Sequence, residues 1–222
     1  DLIATNVLGN YGRIFSEYVF LKDFRNEKLA NYISINGQKY LDDIIKKQKK
    51  VVFISGHFNN FELMAMQLEK YGVNLTAIYR PLNNIFLNKT MEKIRTHFIC
   101  RKQIKKGRSG SRELVKNFKE GSSIALMIDQ RVREGISVPF FQKSCSTTTI
   151  PAQLVKKYEC EIVPIYIERK KNHFFEMTVS QPLVFNKSLS IDDISVELNK
   201  ILEKMILKNL DQWIWTHNRW QK

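Results

Sequence analysis

The sequence has few of the residues that characterise several large protein classes. Only 3 of its 222 residues are Cys, too few for a disulfide framework and too scattered for a metal site. With 9 Gly and 5 Pro against 43% hydrophobic residues, the chain is neither collagen-like nor disordered. We therefore expect a folded protein in a reducing environment, long enough to bury one core.

Long apolar runs are also missing. The longest, residues 51–54 and 124–128, fall far short of the roughly 20 residues that a transmembrane helix needs. No signal-peptide pattern opens the chain, which begins at Asp1 rather than Met. From the sequence we expect a fragment in which an N-terminal membrane anchor is absent.

Acidic residues are the scarcer charged type. There are 36 Lys and Arg against 22 Asp and Glu, which gives a net charge of +14. Residues 89–119, called here the basic segment, contain 11 Lys or Arg and two acids, so 11 minus 2 places +9 there. Such a surplus suits nucleic acid, an anionic membrane surface, or an acidic protein or substrate. No helix-turn-helix, zinc-finger or RNA-recognition pattern accompanies the charge.

Strand and helix patterns alternate along the chain. The predicted strands are Val51–Ile54, Leu75–Tyr79, Ser123–Ile128, Glu161–Glu168 and Phe174–Val179. Helical periodicity covers about residues 60–72, 84–98, 111–119, 151–158 and 191–209. The alternation predicts an α/β fold in which helices flank a mostly parallel sheet. We expect a single domain over residues 1–222, with a helical N-terminal part (1–50) and an α/β core (51–222).

Polar residues follow three of the predicted strands. His57, Arg80 and Asp129 come just after strand ends, where parallel α/β sheets gather their ligands. His57 precedes Glu62 across a strand-to-helix turn, where two residues five apart can face each other. Glu62 would then fix one ring nitrogen of the imidazole and leave the other as a general base.

The segment Gly56–Glu62 resembles the HX4(D/E) motif of the lysophospholipid acyltransferase superfamily. Its flanks are more similar to the lipid A biosynthesis acyltransferases, the lauroyl and myristoyl transferases of Gram-negative bacteria. Further segments resemble that family in the same order: Tyr79–Asn84, Arg95, Asp129–Gln130, Val138–Phe141, Thr147–Pro151 and Trp215–Trp220. The chain departs from the family at Asn59 and Phe61, where Gly and Trp are usual, and at Gln142, where Gly is common.

The resemblance implies a glycerol-3-phosphate acyltransferase-like fold and a defined reaction. A fatty acyl chain would move from an acyl carrier protein thioester to a hydroxyl of a lipid A precursor, with His57 and Glu62 as the catalytic pair. The predicted substrate-binding residues are Asn60, Arg80, Arg95 and Asp129. The two arginines would bind phosphate or the developing oxyanion, and Asp129 would hold one of them in position.

The same resemblance implies the partners and the place of the reaction. We expect an acyl carrier protein as donor, an anionic phosphorylated glycolipid as acceptor, and a monomer at the cytoplasmic side of the inner membrane. No cofactor, metal or nucleic acid is expected. Two alternatives stay open: another acceptor, such as a glycerophospholipid or a phosphatidylinositol mannoside, and a basic nucleic-acid-binding protein.

Overall fold

The computed structural model describes residues 2–171 and 173–220. Its helices are α1 (Leu2–Glu17), α2 (Leu21–Arg25), α3 (Gln38–Lys46), α4 (Glu62–Lys70), α5 (Ile85–Ile94), α6 (Arg108–Lys119), α7 (Ile150–Tyr158) and α8 (Ile191–Lys208). Its strands are β1 (Ile33–Asn36), β2 (Val52–Ser55), β3 (Leu75–Tyr79), β4 (Lys102–Lys105), β5 (Ser123–Met127), β6 (Ile136–Phe140), β7 (Lys143–Thr147), β8 (Ile162–Arg169) and β9 (Phe175–Val179).

Within the described residues, seven strands form one sheet in the order β1-β9-β8-β2-β5-β3-β4. Only β8 and β9 pair antiparallel, and the other neighbours are parallel. The central strand β2 is buried along its whole length, as a continuous apolar run predicts for a parallel strand covered on both faces. The predicted α/β fold with a mostly parallel sheet flanked by helices is confirmed.

The structure corrects the predicted elements in three places. Residues 1–50 are not wholly helical, because Ile33–Asn36 add an edge strand parallel to β9. Lys102–Lys105 form the opposite edge, where charged side chains are tolerated. Residues 136–147, for which the sequence predicted no strand, form the β6–β7 hairpin, which lies outside the main sheet. Short or charged edge strands and a proline-containing strand carry weak sequence signals.

Helix α1 presents an apolar stripe that the rest of the described chain does not cover. Val7 and Ile14 are its buried residues, whereas Leu8, Phe15 and Val19, just beyond its end, are 65%, 71% and 75% exposed. The apolar face of α1 is therefore only partly used for packing within the described chain. None of the described helices combines the length and hydrophobicity needed to span a membrane.

Candidate active site

The carboxyl ends of three adjacent parallel strands form the centre of the candidate site. Strand β5 lies between β2 and β3, so the residues that follow these strands meet at one edge of the sheet. His57 follows β2, Arg80 follows β3 and Asp129 follows β5. The sequence prediction of a site at this edge agrees with this topology.

The Asp129 carboxylate holds His57 at two points. Its Oδ1 lies 2.7 Å from His57 Nδ1, and its Oδ2 accepts the backbone N–H of His57 at 2.7 Å. Oδ2 also accepts the indole N–H of Trp213 at 2.9 Å. A carboxylate that accepts three hydrogen bonds is ionised, so the Nδ1 proton of His57 points toward Asp129. His57 Nε2, which has no hydrogen-bond partner among the described residues, is left with its lone pair available.

Glycine 56 permits this close approach between the strand end and the carboxylate. A Cβ atom on Gly56 would lie 3.2 Å from Asp129 Oδ2 and 3.0 Å from the Cδ1 of Leu202. Both contacts are tighter than side chains normally make. The glycine before the histidine is therefore a requirement of packing at the site.

Burial and hydrogen bonding act in opposite directions on the two partners. Burial lowers the pKa of His57, but the charge and hydrogen bond of Asp129 raise it more, so the net pKa lies above the ordinary value. Burial raises the pKa of Asp129, and its bonds to His57 and Trp213 outweigh this, so its net pKa is lowered. The pair therefore favours a charged imidazole beside a charged carboxylate, which is what a general base needs after it takes a proton.

The structure does not contain the predicted hydrogen bond between His57 and Glu62. Glu62 Oε1 instead accepts from Arg95 Nε at 2.9 Å, from Arg95 Nη2 at 2.7 Å and from the Tyr18 hydroxyl at 2.6 Å. Asp129, predicted to hold an arginine, holds the histidine, and Glu62 holds the arginine. Glu62 still raises the pKa of His57 by its charge, after the larger effects of burial and Asp129.

Arg95 is therefore committed to a carboxylate through two of its three nitrogens. Its side chain is 15% exposed, and that of Glu62 is 8% exposed. The ion pair lies in the wall of the cavity, with both residues among those that line it. The predicted contact of Arg95 with phosphate or an oxyanion would therefore be made by Nη1, the nitrogen that is not bonded to Glu62.

Asn60 is buried beneath the site and does not face the cavity in the part of the chain described. Its Nδ2 donates to Glu17 Oε2 at 2.8 Å, at the end of α1. The preceding Asn59 has a φ of 42°, in the left-handed region that Gly adopts most easily. Its side chain binds Arg169 Nη2 at 2.9 Å and Gln212 Oε1 at 2.9 Å. Asn60, predicted to bind substrate, instead stabilises the turn together with Asn59.

The C-terminal segment completes the site from the opposite side. The Ile214 N–H donates to the His57 carbonyl at 3.1 Å, next to Trp213 and its bond to Asp129. Further along, His217 Nε2 accepts the Arg131 N–H at 2.9 Å. Arg219 is fully buried, and it donates to the carbonyls of Gln130 and Ser146 and to the Thr147 hydroxyl. These residues carry part of the ending motif noted in the sequence.

A cavity of about 520 Å³ opens at this edge of the sheet. Its polar wall contains the imidazoles of His57 and His217, the Glu62–Arg95 pair, Arg80 and Lys106. Apolar and small side chains line another part of it, among them Phe61, Ala65, Ala77, Ile78, Leu82, Ile99, Ala125, Leu126, Met127, Val132 and Ile150. A cavity with both kinds of wall suits a ligand that has a polar reacting group and a hydrocarbon part.

Arg80 and Lys106 are neighbouring cations on the cavity wall, and in the part of the chain that the structure describes neither is neutralised by a carboxylate. Among the described residues, neither side chain has an ion pair with a carboxylate. Burial lowers the pKa of Lys106, and the like charge of Arg80 lowers it further. Two neighbouring cations without a carboxylate form a site for an anion such as phosphate. Nowhere in residues 2–171 and 173–220 do three His, Cys, Asp or Glu side chains form a possible metal site.

Four residues that shape the site are not among those predicted from the sequence. Tyr18 binds Glu62, Trp213 binds Asp129, Lys106 lies beside Arg80, and His217 lines the cavity. The ending motif at residues 215–220 was the available signal for His217. Tyr18 carried no signal because it contacts a residue 44 positions away.

A search of solved structures finds the same fold in a protein of known structure. The crystal structure of the 1-acyl-sn-glycerophosphate acyltransferase PlsC from Thermotoga maritima superposes with a TM-score of 0.52 and 13% sequence identity. The match covers 92% of this chain and 81% of that one. At this identity the similarity concerns the fold, and it agrees with the predicted architecture.

Curated relatives carry the comparison to the level of family. The chain is 23% identical over 206 residues to a lipid A biosynthesis lauroyltransferase of Escherichia coli K12, and 22% identical over 230 residues to a lipid A biosynthesis acyltransferase of Haemophilus influenzae. These matches cover 88% and 100% of this chain, and 64% and 71% of the relatives. The chain thus spans about two thirds of the length of these relatives.

A family model describes the whole chain. The model for bacterial lipid A biosynthesis acyltransferases matches residues 1–222, which confirms the resemblance inferred from the motifs. The chain belongs to the bacterial lipid A biosynthesis acyltransferase family.

Proposed function

We propose that this protein transfers a fatty acyl chain from an acyl carrier protein thioester to a hydroxyl of a lipid A precursor. The observation that carries the proposal is the His57–Asp129 pair, whose free Nε2 belongs to a side chain lining the cavity. Family membership supports lipid A precursors as the acceptor class. The cavity wall has a polar part and an apolar part, which fit the polar reacting groups and the hydrocarbon chains of the two substrates.

His57 acts as the general base in the proposed reaction. Nε2 takes the proton of the acceptor hydroxyl while that oxygen attacks the thioester carbonyl carbon. The new carbon–oxygen bond replaces the carbon–sulfur bond, and the departing thiolate receives the proton from the imidazolium. Asp129 fixes the tautomer and stabilises the imidazolium, so no covalent acyl-enzyme is required.

The unpaired cations bind the phosphate of the acceptor. Arg80 and Lys106 have no carboxylate partner among the described residues, and both line the cavity that contains His57. A lipid A precursor is a phosphorylated glucosamine disaccharide that carries acyl chains, so one molecule supplies both the phosphate anion and the free hydroxyl of an acyl chain that accepts the new acyl group. Arg95 acts indirectly here, because two of its nitrogens bind Glu62.

The donor is proposed to dock on the basic segment. Outside the cavity, residues 89–119 expose a series of cations that match the acidic surface of an acyl carrier protein. The exposed cations of the segment, apart from the cavity residue Lys106, are Lys89, Lys93, Arg101, Lys102, Lys105, Arg112, Lys116 and Lys119. Only two acids interrupt this segment in the sequence.

A lipid surface is proposed to cover the apolar residues beside the cavity. Leu82 lines the cavity, and Ile85, Phe86 and Leu87 follow it in the first turn of α5 with 68%, 79% and 58% exposure. Exposed apolar residues next to basic ones are typical of proteins that lie on anionic bilayers. This arrangement supports a place at the cytoplasmic side of the inner membrane, where the acceptor resides.

The test is a transfer assay with purified protein, acyl carrier protein carrying a labelled acyl chain, and a lipid A precursor, read by mass spectrometry. We expect the wild type to add one acyl chain and His57→Ala to lose about 10²–10⁴-fold in rate. His173→Ala, which replaces an exposed histidine outside the cavity, is the matched control and keeps full activity.

Three outcomes would contradict the proposal. Transfer at the wild-type rate by a folded His57→Ala protein would exclude His57 as the base. Acylation of lysophosphatidic acid in preference to the lipid A precursor would assign another acceptor. Salt-sensitive binding of nucleic acid without any transfer would favour the other class of function.

A further inference from the structure

His217 lines the same cavity as His57, and its tautomer is fixed by one hydrogen bond. Its Nε2 lies 2.9 Å from the backbone nitrogen of Arg131. A backbone N–H can only donate, so Nε2 is the acceptor and carries no proton. In the neutral ring the proton is then on Nδ1, which has no hydrogen-bond partner among the described residues.

The surroundings of His217 keep it neutral. Burial lowers its pKa; Asp129 opposes this, and the positive charges of Arg219, His57 and Lys106 reinforce the lowering. Protonation would also break the bond to Arg131, since a protonated Nε2 cannot accept. His217 therefore offers a neutral N–H donor at ordinary pH.

The chain on both sides of His217 is held in place. Three residues earlier, the Ile214 N–H binds the His57 carbonyl, and two residues later the buried Arg219 binds Gln130 and Thr147. The side chain of Trp220 also donates to the Phe140 carbonyl at 3.0 Å. A donor on such a fixed segment needs little rearrangement when a ligand arrives, which is the condition for electrostatic stabilisation of a transition state.

We propose that His217 is a further catalytic residue, whose Nδ1–H donates to the thioester carbonyl oxygen as it becomes an oxyanion. The proposal rests on the acyl transfer proposed above. A neutral imidazole can serve as such a donor, and it brings no positive charge against His57 while His57 is being protonated. Arg95 is less suited to this role, because two of its nitrogens are bound to Glu62.

The proposed step leaves the proton balance of the reaction unchanged. His57 takes the hydroxyl proton and later delivers it to the thiolate, while the carbon–oxygen bond forms and the carbon–sulfur bond breaks. His217 transfers no proton. The hydrogen bond from His217 Nδ1–H becomes stronger as negative charge develops on the carbonyl oxygen, and it weakens again when the ester carbonyl forms.

Two substitutions separate the donor role from a structural role. In His217→Asn the amide nitrogen is as many bonds from Cα as Nδ1, so the variant keeps a donor at that position and loses the acceptor for Arg131. In His217→Gln the amide oxygen is as many bonds from Cα as Nε2, so the variant keeps the acceptor and loses the Nδ1–H.

We expect His217→Gln to lower kcat by about 10²–10³-fold, the scale of one lost oxyanion donor, with KM for both substrates changed by less than about threefold. His217→Asn should keep kcat within about tenfold of the wild type while melting at a lower temperature. The opposite order would overturn the proposal: full kcat in His217→Gln, or losses in both variants that follow only their melting temperatures. A rise in KM for the acceptor alone would likewise overturn it and indicate acceptor binding.

The same assay distinguishes this proposal from the function on which it rests. Transfer by the wild type and its loss in His57→Ala establish the function independently of His217. A wild type that transfers no acyl chain would overturn both proposals. A wild type that transfers, together with a fully active His217→Gln, would overturn only the role of His217.

Discussion

At the scale of single residues, the reactivity of the site depends on which carboxylate contacts His57. The sequence places Glu62 five positions away, yet Asp129, which is 72 positions away, makes the hydrogen bond. Because Asp129 also accepts from the His57 backbone and from Trp213, it fixes the position of the imidazole as well as its tautomer. Glu62 is occupied by Arg95 and Tyr18, and it influences His57 only through its charge.

The raised pKa of His57 predicts the pH dependence of acyl transfer. A general base must be neutral, so kcat/KM should rise with pH through the pKa of His57, and the acidic limb should lie above the ordinary histidine value. Asp129→Asn removes the charge that raises this pKa, so the limb should move to lower pH while the plateau falls. Rate profiles measured over about pH 5–9, a range that brackets histidine titration, check this prediction. An acidic limb that stays in place in Asp129→Asn would contradict the assignment.

The Glu62–Arg95 ion pair predicts a measurable coupling in stability. Arg95→Met leaves the buried Glu62 carboxylate without its partner, which should lower the free energy of unfolding by about 3–5 kcal/mol. Adding Glu62→Gln should recover part of this loss, so that the double variant is less destabilised than the sum of the single ones by about 0.5–3 kcal/mol. Urea unfolding of the four proteins measures the coupling, and additive losses would show that the pair does not act as a unit.

At the scale of elements, two turns explain where this chain departs from its family. Asn59, in the turn before α4, has a φ of 42°, and Gln142, in the β6–β7 hairpin, has a φ of 61°. The motif resemblance places Gly in the family at both positions, and both residues of this chain adopt the left-handed region that Gly prefers. Asn59 compensates with side-chain hydrogen bonds to Arg169 and Gln212, whereas Gln142 has none among the described residues.

Substitution by Gly should therefore have opposite effects at these two positions. Asn59→Gly keeps a compatible backbone but removes a hydrogen bond to a buried arginine, so it should lower the free energy of unfolding by about 1–3 kcal/mol. Gln142→Gly relieves a left-handed turn residue, so it should raise stability by about 0.5–1 kcal/mol. Gln142→Ala, which shortens the side chain without relieving φ, is the control. Thermal and urea unfolding measure all three, and a stabilising Asn59→Gly would contradict the bonding described here.

Local patterns predicted the buried elements, whereas the long-range contacts were beyond their reach. Continuous apolar runs predicted the buried strands, and the polar residues after three of them predicted the edge of the sheet where the candidate site lies. The His57–Asp129 contact could not be predicted from the sequence, because it joins the ends of two neighbouring strands. Local hydrophobic periodicity does not determine the order of strands in a sheet. The edge strand β4, rich in lysine, and the hairpin strand β6, which contains Pro139, have compositions that strand patterns do not favour.

At the scale of the whole molecule, the cavity, the basic segment and exposed apolar residues lie next to one another. Strands β3 and β4 form one side of the sheet, and the chain between them carries the first turn of α5 and the first part of the basic segment. Helix α1 reaches the same site, since Tyr18, just past its end, binds Glu62. An acyl chain could thus pass between a lipid surface and the cavity without crossing the protein.

This arrangement predicts that Phe86 contributes to membrane binding. Phe86→Ser should weaken binding to vesicles that contain anionic phospholipid by about tenfold, because an exposed aromatic side chain would otherwise enter the interface. Val184→Ser is the matched control: both residues are 79% exposed, and Val184 lies beside Leu183, which pairs with the amino-terminal residue of β8, away from the cavity. Sedimentation with vesicles measures the difference. Equal binding by the two variants would show that the lipid surface meets another face.

The measurement closest to the central claim is the titration of the His57 imidazole, followed by NMR in the wild type, Asp129→Asn and Glu62→Gln. If Asp129 orients His57 and raises its pKa, that pKa falls in Asp129→Asn and falls less in Glu62→Gln. The reason is that Asp129 provides both the hydrogen bond and the larger charge effect. An unchanged His57 titration in Asp129→Asn, or a larger fall in Glu62→Gln, would contradict the His57–Asp129 pair as the centre of the site.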